Sequence, residues 1–293
     1  MASLQASDIF GVEGLVVVIT GGGSGESVSI YENSPQELIL IGIGLMMAKA
    51  LEANGAKVYI IGRRLEHLEA AAKQAGDVTK KEDLQSVVDK ITAEDGFINV
   101  LIANSGITGP TLEGFNKGTT SISEIREFFW KTDNSAFLQT FGVNVAAVFF
   151  SIIAFLELLD AGNQKGNVEQ KSQVIATSSI GGFNRLPLAG WAYGPSKAAV
   201  THLMKQVGTF FAPHGIRSNI IAPGLYPSDM GSPLIENAKA SGALKAMIPL
   251  NREGNEQDMA GNILFLTSKA GAYINGNVLL TDGGRLNIVP STY

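Results

Sequence analysis

Several side chains in the second half of the sequence could together move a proton. Tyr193 and Lys197 are four residues apart, so a helix would place them on one face. A lysine ammonium beside a phenol favours the phenolate and lowers its pKa toward working pH. Ser178 and Ser179 follow an apolar run, and a hydroxyl there could hydrogen-bond a substrate carbonyl. The pattern indicates acid/base chemistry at a carbonyl oxygen, although a Tyr-x-x-x-Lys pair by itself is also typical of a solvated helix face.

A glycine-rich turn near the start of the chain could bind phosphate. The apolar run Leu15–Thr20 leads directly into Gly21-Gly22-Gly23-Ser24-Gly25. Glycines after a first strand let the backbone approach a pyrophosphate, which then lies at a helix N-terminus. Glycine turns are common, so this loop alone is also compatible with a purely structural turn.

The elements that must position these groups alternate along the chain. Apolar, β-branched runs predict strands, and longer periodic stretches between them predict helices. This alternation predicts an α/β fold, a single doubly wound domain over residues 1–293 with a mostly parallel sheet and helices on both faces. The strands are expected at Leu15–Thr20, Lys57–Ile61, Asn99–Ala103, Gln173–Thr177, Arg217–Ile221 and Asn277–Leu280, and the helices at Ile43–Asn54, Leu65–Gln74, Lys81–Thr92, Asn134–Leu159 and Ala192–Phe211, with a polar loop at Ala161–Gln170.

Composition excludes several other classes of protein. The 293 residues carry a net charge of −5, so no overall basic field attracts nucleic acid or an anionic membrane. The absence of cysteine excludes a disulfide scaffold, a thiolate metal site and a cysteine nucleophile, and the three histidines are scattered, which argues against a zinc site. With no targeting signal recognised, we expect a cytoplasmic protein without a metal.

One apolar run, Phe141–Leu159, is close to the length of a membrane span. It contains Asn144, Ser151 and Glu157 and has no asymmetric basic flanks, so we interpret it as a buried helix. A helix that is apolar nearly all round must be covered on several sides, which suggests a subunit interface.

The motifs and their order resemble the short-chain dehydrogenase/reductase family, in particular its fungal NADP-dependent members. These are extended Rossmann enzymes that transfer a hydride between NAD(P) and a carbonyl or alcohol. The matching segments are Thr20-Gly21-Gly22-Gly23-Ser24-Gly25 completed by Ile43-Gly44, Asp77-Val78, Ala103-Asn104-Ser105-Gly106 in place of the family's Asn-Asn-Ala-Gly, Asn144, the set Ser179, Tyr193 and Lys197, Pro223-Gly224 with Ser228-Asp229-Met230, Asn275-Gly276, and Asp282-Gly283-Gly284.

The resemblance implies a role for each matching residue. Tyr193 would be the general acid in carbonyl reduction, and Lys197 would lower its pKa and hold the nicotinamide ribose. Ser179 would orient the substrate oxygen, with Ser178 as the alternate, and Asn144 would hold a water of the proton relay. The family also implies a strand order of 3-2-1-4-5-6-7 and a homodimer or homotetramer. The residues expected to bind the cofactor are Gly21, Gly23, Ser24, Gly25, Gly44, Arg63, Arg64, Asp77, Asn104, Gly106, Tyr193, Lys197, Pro223, Gly224 and Ser228.

The end of the second strand indicates which cofactor is used. An NAD site usually places an acidic residue there, on the ribose hydroxyls. This chain has Arg63 and Arg64 instead, which suit a 2′-phosphate by charge and by geometry. We therefore predict NADP(H), with a small or medium hydrophobic carbonyl or alcohol as substrate. The segment Leu225–Leu250 is apolar in composition and is expected to close over that substrate; the same side chains could instead pack on the core.

Two departures from the family pattern bear on activity. Glu26–Gly42 interrupts the phosphate loop, and deleting these 17 residues restores an uninterrupted Gly-Gly-Gly-Ser-Gly-Ile-Gly motif. The codons of Gly25-Glu26-Ser27 can contain a splice-donor sequence, and those of Ile41-Gly42 can contain a splice-acceptor AG. We therefore hypothesise that the segment is a retained intron. The alternative function is therefore a non-catalytic protein of the same family with a disrupted cofactor loop; a methyltransferase is disfavoured by the Tyr-x-x-x-Lys and Asp-Gly-Gly motifs.

The second departure concerns the third strand. Gly76 is followed at once by Asp77-Val78-Thr79, so the strand that normally stands there looks missing. Four residues span only about 13 Å when extended, too little to return along the sheet after a helix through Gln74. We therefore predict that part of Ala71–Val78 is stretched.

Overall fold

The computed structural model describes residues 4–21, 42–62, 72–116, 118 and 121–293. Its centre is one sheet of seven strands, in which every neighbouring pair is parallel. The strand order is β3-β2-β1-β4-β5-β6-β7, which confirms the expected order. The strands are β1 (Val16–Thr20), β2 (Lys57–Gly62), β3 (Ala72–Ala75), β4 (Val100–Ala103), β5 (Gln173–Thr177), β6 (Arg217–Pro223) and β7 (Val278–Thr281).

Helices cover both faces of this sheet. The described helices are α1 (Ala6–Phe10), α2 (Ile43–Ala53), α3 (Lys81–Glu94), α4 (Ile122–Trp130), α5 (Asn134–Phe141), α6 (Ala147–Lys165), α7 (Tyr193–Phe211), α8 (Ser232–Ala240), α9 (Leu244–Met247) and α10 (Glu256–Thr267). Along β1, Val16 and Val18 pack with α3, α6 and α7, whereas Val17 and Ile19 pack with α2 and α10. Alternate side chains of a strand point to opposite faces, so strands covered on both sides are apolar throughout. This is the doubly wound α/β fold expected from the sequence.

The third strand is present, so the prediction that it was missing is wrong. Ala72–Ala75 pairs in parallel with β2, from Tyr59 opposite Ala72 to Gly62 opposite Ala75. The expected stretch within Ala71–Val78 is confirmed, and the predicted helix Leu65–Gln74 is wrong over its last residues. Alanine, lysine and glutamine favour helices by propensity, but pairing with an existing edge strand supplies backbone hydrogen bonds that override it. Residues 63–71 lie outside the described part of the chain.

The long helical run after Asp133 has three parts. α5 passes through a π-helical turn at Gly142–Ala146 into α6, which ends at Gly166 in the left-handed conformation. The predicted loop Ala161–Gln170 is therefore wrong in its first half. Within this extension Gly162 packs against the segment just before β4, where a side chain would clash with the carbonyl oxygen of Ile98.

The run Asn134–Lys165 is long and apolar enough to cross a membrane by length and composition alone. In the fold it is one of the helices that cover the sheet: Ile152, Phe155 and Leu159 are fully buried in the core with α3 and α7. This agrees with the interpretation of the run as a buried helix.

Candidate active site

The candidate residues lie where the parallel strands end. β1, β4, β5 and β6 finish at Thr20, Ala103, Thr177 and Pro223. The carboxyl ends of parallel strands meet at one edge of the sheet, and ligands of such folds bind where the strand order reverses. That reversal lies between β1 and β4 in this sheet. The topology therefore brings the glycine turn and the residues after β4, β5 and β6 to one edge.

The turn after β1 is joined to the turn after β4 by hydrogen bonds. The Thr20 hydroxyl accepts from the backbone N–H of Asn104 at 3.1 Å, and the Asn104 amide donates to the Gly21 carbonyl at 3.1 Å. Gly21 has φ of +73°, and a side chain there would lie 2.7 Å from the backbone of Ser105. Gly21 is therefore required both by its conformation and by this close approach.

The rest of the predicted phosphate and ribose site is only partly described. α2 begins at Ile43, so Gly44 lies in its first turn at the edge of the site. Gly23, Ser24, Gly25, Arg63, Arg64 and residues 26–41 of the inserted segment lie outside the described residues.

Lys197 is buried at the centre of the site. Its side chain is 3% exposed, and its ammonium donates to the carbonyl oxygen of Thr177 at 2.8 Å. Burial lowers the pKa of Lys197 from 10.5 to about 8. A side chain at Gly106 would lie 3.2 Å from the ammonium and 3.3 Å from the Asn144 amide oxygen. The glycine thus leaves space for a ligand beside two polar groups.

Tyr193 is the first residue of α7 and faces the loop after β5. Its ring centroid is 5.8 Å from the Lys197 ammonium, and a side chain at Gly181 would lie 3.2 Å from the ring. Burial raises the pKa of Tyr193, and a hydrogen bond with the Ser179 side chain opposes that rise. The net effect is a raised pKa of Tyr193, opposite to the lowering expected from Lys197. The loss of hydration destabilises the phenolate more than the neighbouring groups stabilise it.

The structure distinguishes the two adjacent serines. The Ser178 hydroxyl is buried, donates to the Lys197 carbonyl at 2.9 Å and pairs with the Thr201 hydroxyl at 2.7 Å. It therefore fastens β5 to α7. The Ser179 hydroxyl accepts from the backbone N–H of Gly181 at 3.0 Å and bonds Tyr193, so it is the serine that faces the phenol.

Asn144 lies in the π-helical turn and is fully buried. Its amide oxygen accepts from the Ile107 N–H at 2.8 Å, and its NH₂ group donates to the Ile107 carbonyl and to the Ser196 hydroxyl, each at 2.9 Å. A π-helical turn often marks a functional site. Here it presents an amide that fixes the loop after β4 against the start of α7; the expected hold on a water stays a prediction.

The remaining predicted residues lie toward the two ends of the edge. The Asp77 carboxylate accepts from the N–H and hydroxyl of Thr79, just after β3. At the other end Gly224 donates its N–H to Thr281, and a side chain on Gly224 would lie 2.7 Å from Asp282. The Ser228 hydroxyl accepts from the Gly231 N–H at 3.1 Å and so sits just before α8.

The expected lid, Leu225–Leu250, divides between core and surface. Tyr226 and Ile248 are buried, and the Tyr226 hydroxyl pairs with that of Thr281 at 2.5 Å. Met230 and Leu234 are 43% and 52% exposed. Only the exposed part can close over a substrate, so the core alternative holds for Tyr226 and Ile248.

The sequence did not predict an aromatic cavity whose wall includes the two residues before Tyr193. Its volume is about 250 Å³, and the residues around it are Pro110, Thr111, Phe129, Thr132, Asn134, Phe137, Trp191 and Ala192. Trp191-Ala192 directly precedes Tyr193, and Pro110 follows the loop that Asn144 holds. A local signal existed in the aromatic residues of α4 and α5, but their convergence with Trp191 is a property of the tertiary fold.

Comparison with known proteins gives the family context. Residues 39–285 match the family model described as enoyl-(acyl carrier protein) reductase, a match that begins after the first glycine motif. The chain is 50% identical over 304 residues to the short-chain dehydrogenase/reductase PhomF of Diaporthe leptostromiformis, covering 99% of this chain and 98% of that protein. It is 43% identical over 321 residues to the short-chain dehydrogenase/reductase VdtF of Byssochlamys spectabilis, covering 99% of each.

A solved structure shares the fold. The RhlG/NADP active-site complex of Pseudomonas aeruginosa superposes with a TM-score of 0.75 at 27% identity, covering 94% of this chain and 98% of that one.

Proposed function

This chain is an oxidoreductase of the short-chain dehydrogenase/reductase family, and from that premise we propose that it transfers a hydride between NADP(H) and a ketone or alcohol, with Tyr193 as acid and base. The observation that carries the proposal is the grouping of Ser179, Tyr193 and Lys197 at the carboxyl edge of the sheet. The Ser179 hydroxyl and the Tyr193 ring both lie against Gly181, and the buried ammonium is 5.8 Å from the centre of that ring. Two hydroxyl donors converge where an alkoxide would develop.

In the direction of reduction, Tyr193 gives its phenol proton to the carbonyl oxygen as negative charge builds on it. NADPH, when bound, would supply a hydride for the carbonyl carbon. Ser179 donates a hydrogen bond to the same oxygen and so orients the ketone. Lys197 stabilises the phenolate that remains, and a proton from solvent restores the phenol. In the oxidation of an alcohol the same groups act in reverse.

The described residues fit a nicotinamide cofactor. Within them, the Thr177 carbonyl is the one hydrogen-bond acceptor of the Lys197 ammonium, which has three N–H donors, so the remaining donors suit ribose hydroxyls. The side-chain-free space at Gly106 lies beside that ammonium, and Gly21 keeps the turn after β1 close to β4. NADP(H) rather than NAD(H) is supported by Arg63 and Arg64 and by the NADP complex of the related fold.

The proposed cofactor site extends along the whole edge. It comprises the glycine turn, the arginine pair, the residues after β3 and β4, the catalytic pair and the turn after β6. These are Gly21, Gly23, Ser24, Gly25, Gly44, Arg63, Arg64, Asp77, Asn104, Gly106, Tyr193, Lys197, Pro223, Gly224 and Ser228.

We also propose that the protein forms a homodimer, or a tetramer of such dimers, in the cytoplasm. The outer face of α5 and α6 exposes Leu138, Phe149, Phe150 and Ile153, between 36% and 60% each. Exposed apolar residues grouped on one helical run are typical of a protein–protein interface. Sedimentation at several protein concentrations tests this, and a monomer throughout would contradict it.

The experiment that tests the function is NADPH oxidation, followed by absorbance, with a panel of neutral ketones. Tyr193→Phe is expected to reduce kcat by about 10²-fold or more while the far-ultraviolet circular dichroism is unchanged. Ser179→Ala should lower kcat, whereas Ser178→Ala should lower the free energy of unfolding and leave kcat within about twofold. A folded protein that binds neither NADPH nor NADH would favour the non-catalytic alternative instead.

A further inference from the structure

The cavity beside Tyr193 is built from segments far apart in the sequence. α4 contributes Phe129, α5 contributes Phe137, and the approach to α7 contributes Trp191. Phe129 and Trp191 meet edge to face, with ring centroids 6.0 Å apart at 88°. Both aromatic groups are partly accessible: Phe129 is half-buried and Trp191 is 54% exposed. The aromatic surfaces therefore form walls that are open to a ligand rather than a filled core.

The chemistry of these walls is uniform. Among the described residues around the cavity all are uncharged, and the polar ones are hydroxyls and one amide: Thr111, Thr132 and Asn134. The nearest acid in sequence, Asp133, accepts from the N–H and hydroxyl of Ser135 at 3.0 and 2.6 Å and so caps α5. A ligand carboxylate or phosphate would find no cationic partner among these walls and would lie near this acid. Lys131, the cation on the other side of Thr132, pairs with Glu127 at 3.1 Å. A ligand anion held in the cavity would lose part of its hydration without gaining a cationic partner, which is unfavourable.

We infer that the substrate is a neutral ketone, or the matching alcohol, whose carbonyl is attached to an aromatic or other flat ring held between Phe129, Phe137 and Trp191. This inference rests on the proposed function. An apolar cavity of about 150 Å³ can hold one benzene ring, so the volume of about 250 Å³ suits one ring system rather than a long chain. Flat rings pair with aromatic walls in offset or edge-to-face contact.

The test compares two ketones that share one ring system. 1-Indanone is neutral, and 3-oxoindane-1-carboxylate carries an added carboxylate. At saturating NADPH and about pH 7, kcat/KM for 1-indanone is expected to exceed that for the carboxylate by about 100-fold. Phe129→Ala should raise KM for 1-indanone about tenfold with little change in kcat. The variant loses a contact with the ring of the substrate, whereas the proton donor Tyr193 is unchanged.

Trp130→Ala is the matched control for Phe129→Ala. Trp130 is the next residue of α4, is 76% exposed, stacks with Arg126 and is not part of the cavity wall. Its replacement should leave KM for 1-indanone within about twofold. Equal values of kcat/KM for the two ketones, or equal rises in KM for the two variants, would overturn the inference.

A binding measurement separates the inference from the function. The chain has two tryptophans, so in Trp130→Phe the emission comes from Trp191 alone. With NADP⁺ present, 1-indanone should quench this emission saturably, whereas 3-oxoindane-1-carboxylate should not at the same concentration. Quenching by 1-indanone without NADPH-dependent turnover of any ketone in the panel would support the ring site and refute the proposed function. Turnover of 1-indanone without quenching would support the function and overturn the ring site.

Discussion

Replacing Lys197 by methionine should make the folded protein more stable while abolishing its activity. Burial holds the pKa of Lys197 near 8 instead of 10.5, so the charged form is penalised in the folded state. One pKa unit corresponds to about 1.4 kcal/mol, which makes that penalty about 3 kcal/mol at neutral pH. Methionine fills a similar volume without charge, but it loses the charged hydrogen bond to the Thr177 carbonyl, about 1.5–3 kcal/mol.

The net gain is therefore about 0–2 kcal/mol at pH 7, which raises Tm by up to about 4 °C in a chain of this size. The size of this stability difference depends on pH. Between about pH 8 and pH 10.5 the unfolded chain keeps the proton that the folded chain has released, so the unfolded state binds more protons. The stability of the unsubstituted chain consequently rises with pH through this window, and the advantage of the variant shrinks.

The assay is thermal unfolding without cofactor at about pH 7 and pH 9.5. Tyrosines begin to ionise at the higher pH, but all the variants share them, so their effect cancels in the differences in Tm. Lys205→Met on the exposed side of the same helix is the control, because it also removes a lysine but not a buried one. The Tm difference between Lys197→Met and the unsubstituted chain should fall with pH, while that for Lys205→Met stays constant. A variant less stable than the parent at pH 7, or a difference independent of pH, would refute the reasoning.

Three further predictions concern other parts of the site. Asn144→Ala removes three buried hydrogen bonds and should lower the free energy of unfolding in urea by about 2–4 kcal/mol; a change below about 1 kcal/mol would contradict the anchoring role. Deleting Glu26–Gly42 restores the uninterrupted glycine motif and should tighten NADPH binding at least about tenfold by calorimetry, whereas an unchanged Kd would show that the insertion is harmless. Removing Pro290–Tyr293 takes away the backbone bonds to Phe183 and Arg185 in the loop before Tyr193, and should lower kcat/KM about tenfold; full activity would show that this tail does not position the loop.

Much of the fold could be predicted because its signals are local. The strand at Gln173–Thr177 lies at the predicted residues, and the apolar runs of β1, β2 and β4 mark the central strands. Such strands are covered on both faces, so apolar residues at every position reveal them. The spacing of Tyr193 and Lys197 likewise sufficed to place both side chains on one helix face.

Other features needed partners from distant parts of the chain. β3 is a strand because β2 lies beside it, although its residues favour a helix. The Ser178 hydroxyl hydrogen-bonds to the Lys197 carbonyl and the Thr201 hydroxyl, and this leaves Ser179 as the serine that faces Tyr193. Neither outcome is encoded in a short window, because each depends on a hydrogen-bond partner supplied by another element.

The sequence by itself indicated the fold class and the placement of Tyr193 and Lys197 on one helix face, since these follow from periodicity and spacing. The parallel strand order and the expectation of Ser179 came from the resemblance of the ordered motifs to a known family. Only the tertiary structure decided that burial, rather than the neighbouring ammonium, governs the pKa of Tyr193, and that Phe129, Phe137 and Trp191 enclose one cavity. The physical reason is common to both. Desolvation and cavity shape are set by how separate elements pack against one another, and packing is a property of the assembled fold.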